Sequence, residues 1–114
     1  MGYEAAIALC EHGISGVALY DLHETTDAPA LLREAFPSVE ITYTKVDVAD
    51  EGAVVRAVDA TAKTFGKIDV LLCFAGIVKT CPAESMDMAW WRKVLDVNVT
   101  GTFITAKAVA KCVL

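Results

Sequence analysis

Segments with apolar residues at helical spacing alternate along this chain with short, nearly continuous apolar runs. Apolar positions three or four residues apart predict four helices, over residues 2–12, 30–36, 51–65 and from 88 to the C-terminus. The flanking residues support these helices: Asp27 and Asp50 are favourable N-terminal caps, and Gly66 follows the third helix, as glycine often does at a helix end.

Three apolar segments between these helices predict strands. Residues 17–20 and 68–74 are almost continuously apolar, which is typical of parallel strands covered on both faces. From Val39 the pattern alternates, with Ile41 and Tyr43 on the same side, so one face of this strand should be partly exposed. The alternation of helices and strands predicts an α/β fold with a doubly wound parallel sheet.

Composition and charge narrow the classes of function. A chain of 114 residues has room for one domain, and 55% of these residues are hydrophobic, which suggests extensively covered strands. The net charge is −5 and no run of Lys or Arg occurs, so a nucleic-acid partner is not expected. The N-terminus is a poor signal peptide, and no apolar stretch approaches the roughly 18 residues of a membrane span, so no membrane partner is expected.

The chain has four cysteines, at positions 10, 73, 81 and 112. They form no CxxC pair, and neither His12 nor His23 lies at a zinc-ligand spacing from them. We therefore expect no metal site, reduced thiols with Cys10 and Cys73 in the core, and a cytoplasmic location.

Asp21 follows the first predicted strand, at the carboxyl end, where ligands of open α/β sheets bind. In dinucleotide-binding folds an acidic residue that binds the adenosine ribose lies about 20 positions after a glycine turn, and Gly2 lies at about that distance. A carboxylate there would repel the 2′-phosphate of NADP, and His23 is the only cation close in sequence, so NAD is favoured over NADP. Spacing alone also allows Asp21 simply to begin a turn, and the glycine turn itself is absent.

Two dipeptides end the later apolar segments. Asp47 and Val48 follow the second predicted strand, and Ala75 and Gly76 follow the third. Small residues after a strand allow a flat ligand to approach the backbone, although an ordinary turn would have the same composition. Asp47 could likewise serve only to satisfy backbone N–H groups.

Asn98 and Gly101 are unfavourable inside the long predicted helix, where glycine costs about 1 kcal/mol relative to alanine. Their proximity indicates a kink or a close approach of another segment, and Asn98 could alternatively tie down a neighbouring loop. The helix is apolar on two sides, with Trp90 and Trp91 on different ones, so it should be buried or lie in a subunit interface.

Several ordered motifs resemble the short-chain dehydrogenase/reductase family, classical type. They are KVDVAD at residues 45–50, FGKIDVL at 65–71, AGI at 75–77 and WRKVLDVNVTGTF at 91–103. The resemblance covers essentially all of the chain. It implies an NAD(P)-dependent oxidoreductase that interconverts an alcohol and a ketone by hydride transfer.

The resemblance also implies roles for individual residues. Gly2 matches the last glycine of the cofactor-binding turn, and Asp21 matches the acidic residue after the second strand of the family. Asp47 and Val48 match the pair that contacts the adenine, while Ala75 and Gly76 match the end of the NNAG motif. Asn98 matches a catalytic asparagine whose helix kink holds a water in a proton relay.

The chain also departs from the family pattern. Cys73 and Phe74 replace both asparagines of NNAG, and no tyrosine is followed four positions later by lysine, as the catalytic YxxxK pair requires. We therefore expect a fragment, truncated at both ends, that is inactive alone and forms homo-oligomers through helix 88–114. The alternative is a non-catalytic interaction module that uses this helix.

The family's first strand would precede Gly2. The domain, residues 1–114, is therefore expected to be a single, partial dinucleotide-binding domain with an incomplete Rossmann-like sheet. Strands 17–20 and 68–74 should flank an empty place in that sheet, which should make the isolated chain unstable.

Overall fold

The computed structural model describes residues 1–23 and 26–113. The strands in this part of the chain are β1 (Gly16–Asp21) and β2 (Glu40–Lys45). The α-helices are α1 (Gly2–Glu11), α2 (Ala28–Ala35), α3 (Glu51–Phe65), α4 (Met88–Leu95) and α5 (Thr102–Val113). A 3₁₀ turn (Ala83–Ser85) precedes α4, and a π-helical turn (Asp96–Gly101) joins α4 to α5.

The predicted boundaries of α3 are confirmed. The Asp50 carboxylate accepts a hydrogen bond from the Ala53 N–H at 3.0 Å, which satisfies one of the free donors of the first turn. Gly66 ends the helix with φ 78°, a left-handed conformation that glycine adopts without steric cost. The helix is thus fixed at both ends by its own sequence.

Strands β1 and β2 are parallel, as predicted, with Gly16 opposite Glu40 and Asp21 opposite Lys45. The alternation in β2 is also confirmed, because Ile41 is buried and Glu40 and Thr44 are exposed. Parallel pairing brings the carboxyl ends of both strands, and the turns that follow them, to the same edge of the sheet.

Helices cover both faces of this sheet. On one face, α1 and α2 pack against β1 and β2 around Leu32, which is fully buried. On the other face, α3 and α5 enclose Val54 and Val58. This division of the core into two clusters is the arrangement of a doubly wound fold, here built on two paired strands.

The third predicted strand is not formed. No backbone ladder joins residues 68–74 to β1 within the described chain, and Val70, Leu72 and Phe74 each expose nearly half of their surface. An apolar run becomes a strand only where a neighbouring strand accepts and donates its hydrogen bonds, and here a cavity separates the run from β1. The same cavity explains why Cys73 is exposed, contrary to prediction, whereas Cys10 is buried as expected.

The long C-terminal helix is confirmed with an interruption. The π-helical turn contains both residues that predicted a kink, Asn98 and Gly101. Such turns add one residue to the local helical repeat and often occur at functional sites. Among the described helices, every one is too short or too polar to cross a membrane.

Candidate functional site

A cavity of about 820 Å³ opens between β1 and residues 67–77. The cavity runs along the whole of β1, from Gly16 to Asp21, and so occupies the place in the sheet between β1 and residues 68–74. The cavity brings together every residue predicted to bind the cofactor, namely Gly2, Asp21, Asp47, Val48, Ala75 and Gly76. Asp21, Asp47 and Val48 lie at one edge because β1 and β2 are parallel, whereas Gly2 reaches the cavity from the start of α1 and Ala75 and Gly76 reach it from the segment after Ile68.

Asp21 is the last residue of β1 and is exposed to solvent. One carboxylate oxygen, Oδ1, accepts a hydrogen bond from the His23 N–H at 3.2 Å, so Asp21 does begin a turn. Its backbone carbonyl accepts a hydrogen bond from the Val46 N–H at 2.8 Å, which fixes the residue against the end of β2. The turn uses one carboxylate oxygen, and a carboxylate can accept several further hydrogen bonds.

Lys45 is a residue of this edge that the sequence reasoning missed. The register places it directly opposite Asp21, although the two are far apart in sequence. Only knowledge of the strand register could have found it, since His23 is the nearest cation along the chain. Lys45 therefore adds a positive charge to the carboxyl end of this strand pair, where Asp21 adds a negative one.

The turn at residues 47–50 presents Val48 to the cavity. The Asp47 carboxylate accepts a hydrogen bond from the Ala49 N–H at 2.9 Å, and the Asp47 carbonyl accepts one from the Asp50 N–H at 3.0 Å. Asp47 thus satisfies backbone donors, the alternative that the sequence left open. By doing so it holds Val48 as a fixed apolar wall of the cavity.

Asn98 binds the backbone just beyond Gly76. Its Oδ1 accepts a hydrogen bond from the Ile77 N–H, and its Nδ2 donates one to the Ile77 carbonyl, both at 2.8 Å. A side chain on Gly76 would bring its Cβ to 3.3 Å from Asn98 Oδ1, which is a tight contact. The amide therefore ties down a neighbouring loop, and Asn98 is not among the residues that line the cavity.

Replacing Asn98 by alanine should release this loop. Both hydrogen bonds to Ile77 are lost, so the Ile77 amide should exchange with solvent at least about tenfold faster in hydrogen–deuterium exchange. Asn98→Asp is the matched control, because the carboxylate retains the acceptor for the Ile77 N–H and loses only the donor. Equal exchange in Asn98→Ala and the unaltered chain would show that the loop is held by other contacts.

All three tyrosines line the cavity, and the hydroxyls of two of them are engaged in hydrogen bonds within the chain. The Tyr20 hydroxyl donates a hydrogen bond to the Ala57 carbonyl at 2.8 Å and lies 2.6 Å from Thr61 Oγ1. Burial raises the pKa of Tyr20, so its phenol remains protonated at neutral pH. The Tyr43 hydroxyl donates to the His23 carbonyl, and Tyr3 has no lysine at the required spacing.

Comparison with known proteins agrees with this architecture. The sequence profile described as enoyl-(acyl carrier protein) reductase matches residues 1–114. The D-threitol dehydrogenase of Mycolicibacterium smegmatis is 43% identical over 68 residues, which are 60% of this chain and 26% of that protein.

Two solved structures share the fold over nearly the whole chain. Levodione reductase superposes with a TM-score of 0.90 at 33% identity, covering 97% of this chain and 44% of that one. NAD⁺-bound xylitol dehydrogenase superposes with a TM-score of 0.83 at 33% identity, covering 96% and 42% respectively. This chain spans less than half the length of each of these relatives. The family profile matches residues 1–114 of this chain. Together with these similarities, the match shows that the chain belongs to the short-chain dehydrogenase/reductase family, as its motifs predicted.

Proposed function

We propose that residues 1–114 form the cofactor-binding part of an NAD-dependent oxidoreductase that interconverts an alcohol and a ketone. The observation that carries this proposal is that the six predicted residues all line one cavity, with Asp21, Asp47 and Val48 at the carboxyl ends of β1 and β2. Parallel α/β folds bind their ligands at this position. The printed names of the relatives, which include a threitol dehydrogenase and an NAD⁺-bound xylitol dehydrogenase, support the same class of reaction.

The residues fit the adenosine half of the cofactor best. The Asp21 carboxylate is exposed at the cavity edge and can accept hydrogen bonds from ribose hydroxyls. Val48 offers an apolar wall to a flat adenine ring, and the turn at residues 47–50 holds that wall in place. These residues would bind and orient the adenosine in a fixed position.

Gly2, Ala75 and Gly76 also line the cavity and would contact the rest of the cofactor. The N-terminus of α1 at Gly2 has free backbone N–H groups that would bind a pyrophosphate, as helix N-termini commonly do. Ala75 and Gly76 leave space for a ring to lie against the backbone. NAD would supply the hydride acceptor when bound, and this chain's residues would position it.

Titration with reduced cofactors tests the proposal. NADH should bind saturably and more tightly than NADPH, because Asp21 would repel a 2′-phosphate. Trp90 lines the cavity and Trp91 adjoins it in sequence, so energy transfer from these two indoles to the reduced nicotinamide reports binding. Absence of saturable binding by both cofactors would end the cofactor part of the proposal.

The Asp21→Asn variant, which removes the negative charge, tests the role of Asp21 in cofactor binding. Asp21→Asn should weaken NADH about tenfold, since a charge-assisted hydrogen bond contributes about 1.5–3 kcal/mol. Glu40→Gln is the matched control, because it removes one negative charge at the amino end of the same two strands. If both variants bound NADH as the unaltered chain does, Asp21 would have no role in the site.

A second candidate function is an interaction module built on the long helix. Trp91, Leu95, Val99 and Phe103 recur every four residues along α4, the π-helical turn and α5, and each exposes between 40% and 67% of its surface. A second copy of this chain would cover such an apolar stripe, so we propose that residues 88–113 form a homo-oligomer interface.

Size-exclusion chromatography tests the interface. Phe103→Glu should shift the chain towards monomer, because it places a charge at the most exposed position of the apolar stripe. Lys111→Glu, near the end of α5, also adds negative charge and serves as the control. A monomer for the unaltered chain, with or without a full-length relative present, would contradict the interface.

A further inference from the structure

Gly101, the last residue of the π-helical turn, lies against the wall of the cavity. It is buried, and a Cβ added to it would lie 2.7 Å from Val48 Cγ2, 3.1 Å from Val48 Cβ and 3.2 Å from the Val48 carbonyl oxygen. A contact under 3.0 Å forces one of the two segments to move. The backbone of Gly101 has no positive φ, so glycine is required here for space and not for conformation.

Val48 has little freedom to retreat from such a side chain. Its β-branched side chain is restricted in χ1, and its neighbours Asp47 and Asp50 are held by the hydrogen bonds of the turn. The nearby carbonyl also means that the backbone, and not only the isopropyl group, would be pushed. Gly101 and Val48 both line the cavity, so a movement at their contact changes the shape of its wall.

We propose that Gly101 is a positioning residue for adenine binding, which acts by fixing the place of Val48. This inference rests on the proposed function and adds to it a determinant that lies on the π-helical turn, outside the strand-end segments. The same turn holds Ile77 through Asn98, so it supports two separate parts of the cavity lining. Gly101 determines the position of Val48, which would form the wall of the cavity next to the adenine.

Gly101→Ala should therefore lower the affinity for nucleotides that contain adenine and leave the affinity for other nucleotides unchanged. NADH and AMP should bind about tenfold more weakly, whereas nicotinamide mononucleotide, which lacks adenine, should bind as before. Val48→Ala removes Cγ2, the atom nearest to the new methyl group, and with it part of the proposed adenine wall, so it should weaken AMP by itself. Adding Gly101→Ala to Val48→Ala should then cost less AMP affinity than adding it to the unaltered chain. A role confined to stability would not separate the two nucleotides or give this coupling.

Gly52→Ala is the matched control, since it adds a methyl group to another helical glycine. The nearest atoms there are the Arg56 guanidinium nitrogen Nη1 at 3.2 Å and the Asp50 carboxylate oxygen at 3.4 Å, both in side chains. Equal weakening of AMP and nicotinamide mononucleotide by Gly101→Ala, or an equal loss of AMP affinity on adding Gly101→Ala with and without Val48→Ala, would overturn the proposal.

The NMR resonances of the Val48 methyl groups, recorded without nucleotide, test whether Gly101 positions Val48 independently of whether the chain binds a cofactor. They should shift in Gly101→Ala and not in Gly52→Ala, whether or not any nucleotide binds. If the unaltered chain binds no nucleotide, the proposed function fails, and with it the assignment to adenine binding. If Val48 does not shift, Gly101 does not position it, even where NADH binds normally.

Discussion

Heated alone in dilute solution, the 114-residue chain should lose its helical circular dichroism gradually, without a sharp transition, and should aggregate as it does so. The reason lies in the middle of the fold, where β1 has β2 as its only partner strand in the described chain and residues 68–74 have none. The apolar side chains of residues 69–74 therefore stay exposed, whereas full burial of one such side chain contributes about 1.5–3 kcal/mol. Whole domains are stable by only about 5–15 kcal/mol, so the loss of burial at several of these positions is decisive.

The core around this gap is small. Leu32, Val54 and Val58 are the largest side chains that are fully buried among the described residues, while Val70, Leu72 and Phe74 remain about half exposed. Far-ultraviolet circular dichroism with parallel light scattering measures the transition, and a full-length relative provides the cooperative control. A sharp, reversible melt of a soluble monomer would contradict this expectation.

The second large effect concerns turnover. Incubated with NAD⁺ and a panel of secondary alcohols, the chain alone should produce no NADH above the background rate. Proton transfer by a positioned side chain contributes typically 10²–10⁴-fold to such reactions, and the hydroxyls of Tyr20 and Tyr43 are engaged in hydrogen bonds to backbone carbonyls. The chain would hold a cofactor without the group that moves the proton.

Absorbance of NADH over a long incubation gives the measurement. Tyr20→Phe and Tyr43→Phe should leave the background unchanged, which separates true turnover from a contaminant. Sustained NADH formation that is abolished by one of these substitutions would show that this chain carries its own acid or base.

Local sequence signals predicted the helices well. Asp50 and Gly66 fix both ends of α3 through contacts within a few residues, so the sequence contains all the information that is needed. The kink at Asn98 and Gly101 could be foreseen for a similar reason, because both residues are unfavourable in a regular helix. The parallel pairing of β1 and β2 followed from the alternation of elements.

Features that depend on a distant partner were not predictable in this way. Residues 68–74 have the composition of a buried strand. A strand forms only where a neighbouring strand pairs with it, and the composition of a segment does not show whether such a neighbour is present. Cys73 is exposed for the same reason. Three pairs of residues far apart in sequence come together only in the folded chain. They are Asp21 and Lys45, Ile77 and Asn98, and Val48 and Gly101.

Hydrogen–deuterium exchange of the chain with and without NAD⁺ tests the central claim most directly, because it locates binding on the backbone. We predict that NAD⁺ slows exchange at residues 19–23 and 46–50, where Asp21 and Val48 would hold the adenosine. Protection confined to the exposed stripe of helix 88–113, or no protection at either strand end, would contradict a cofactor site at this edge of the sheet.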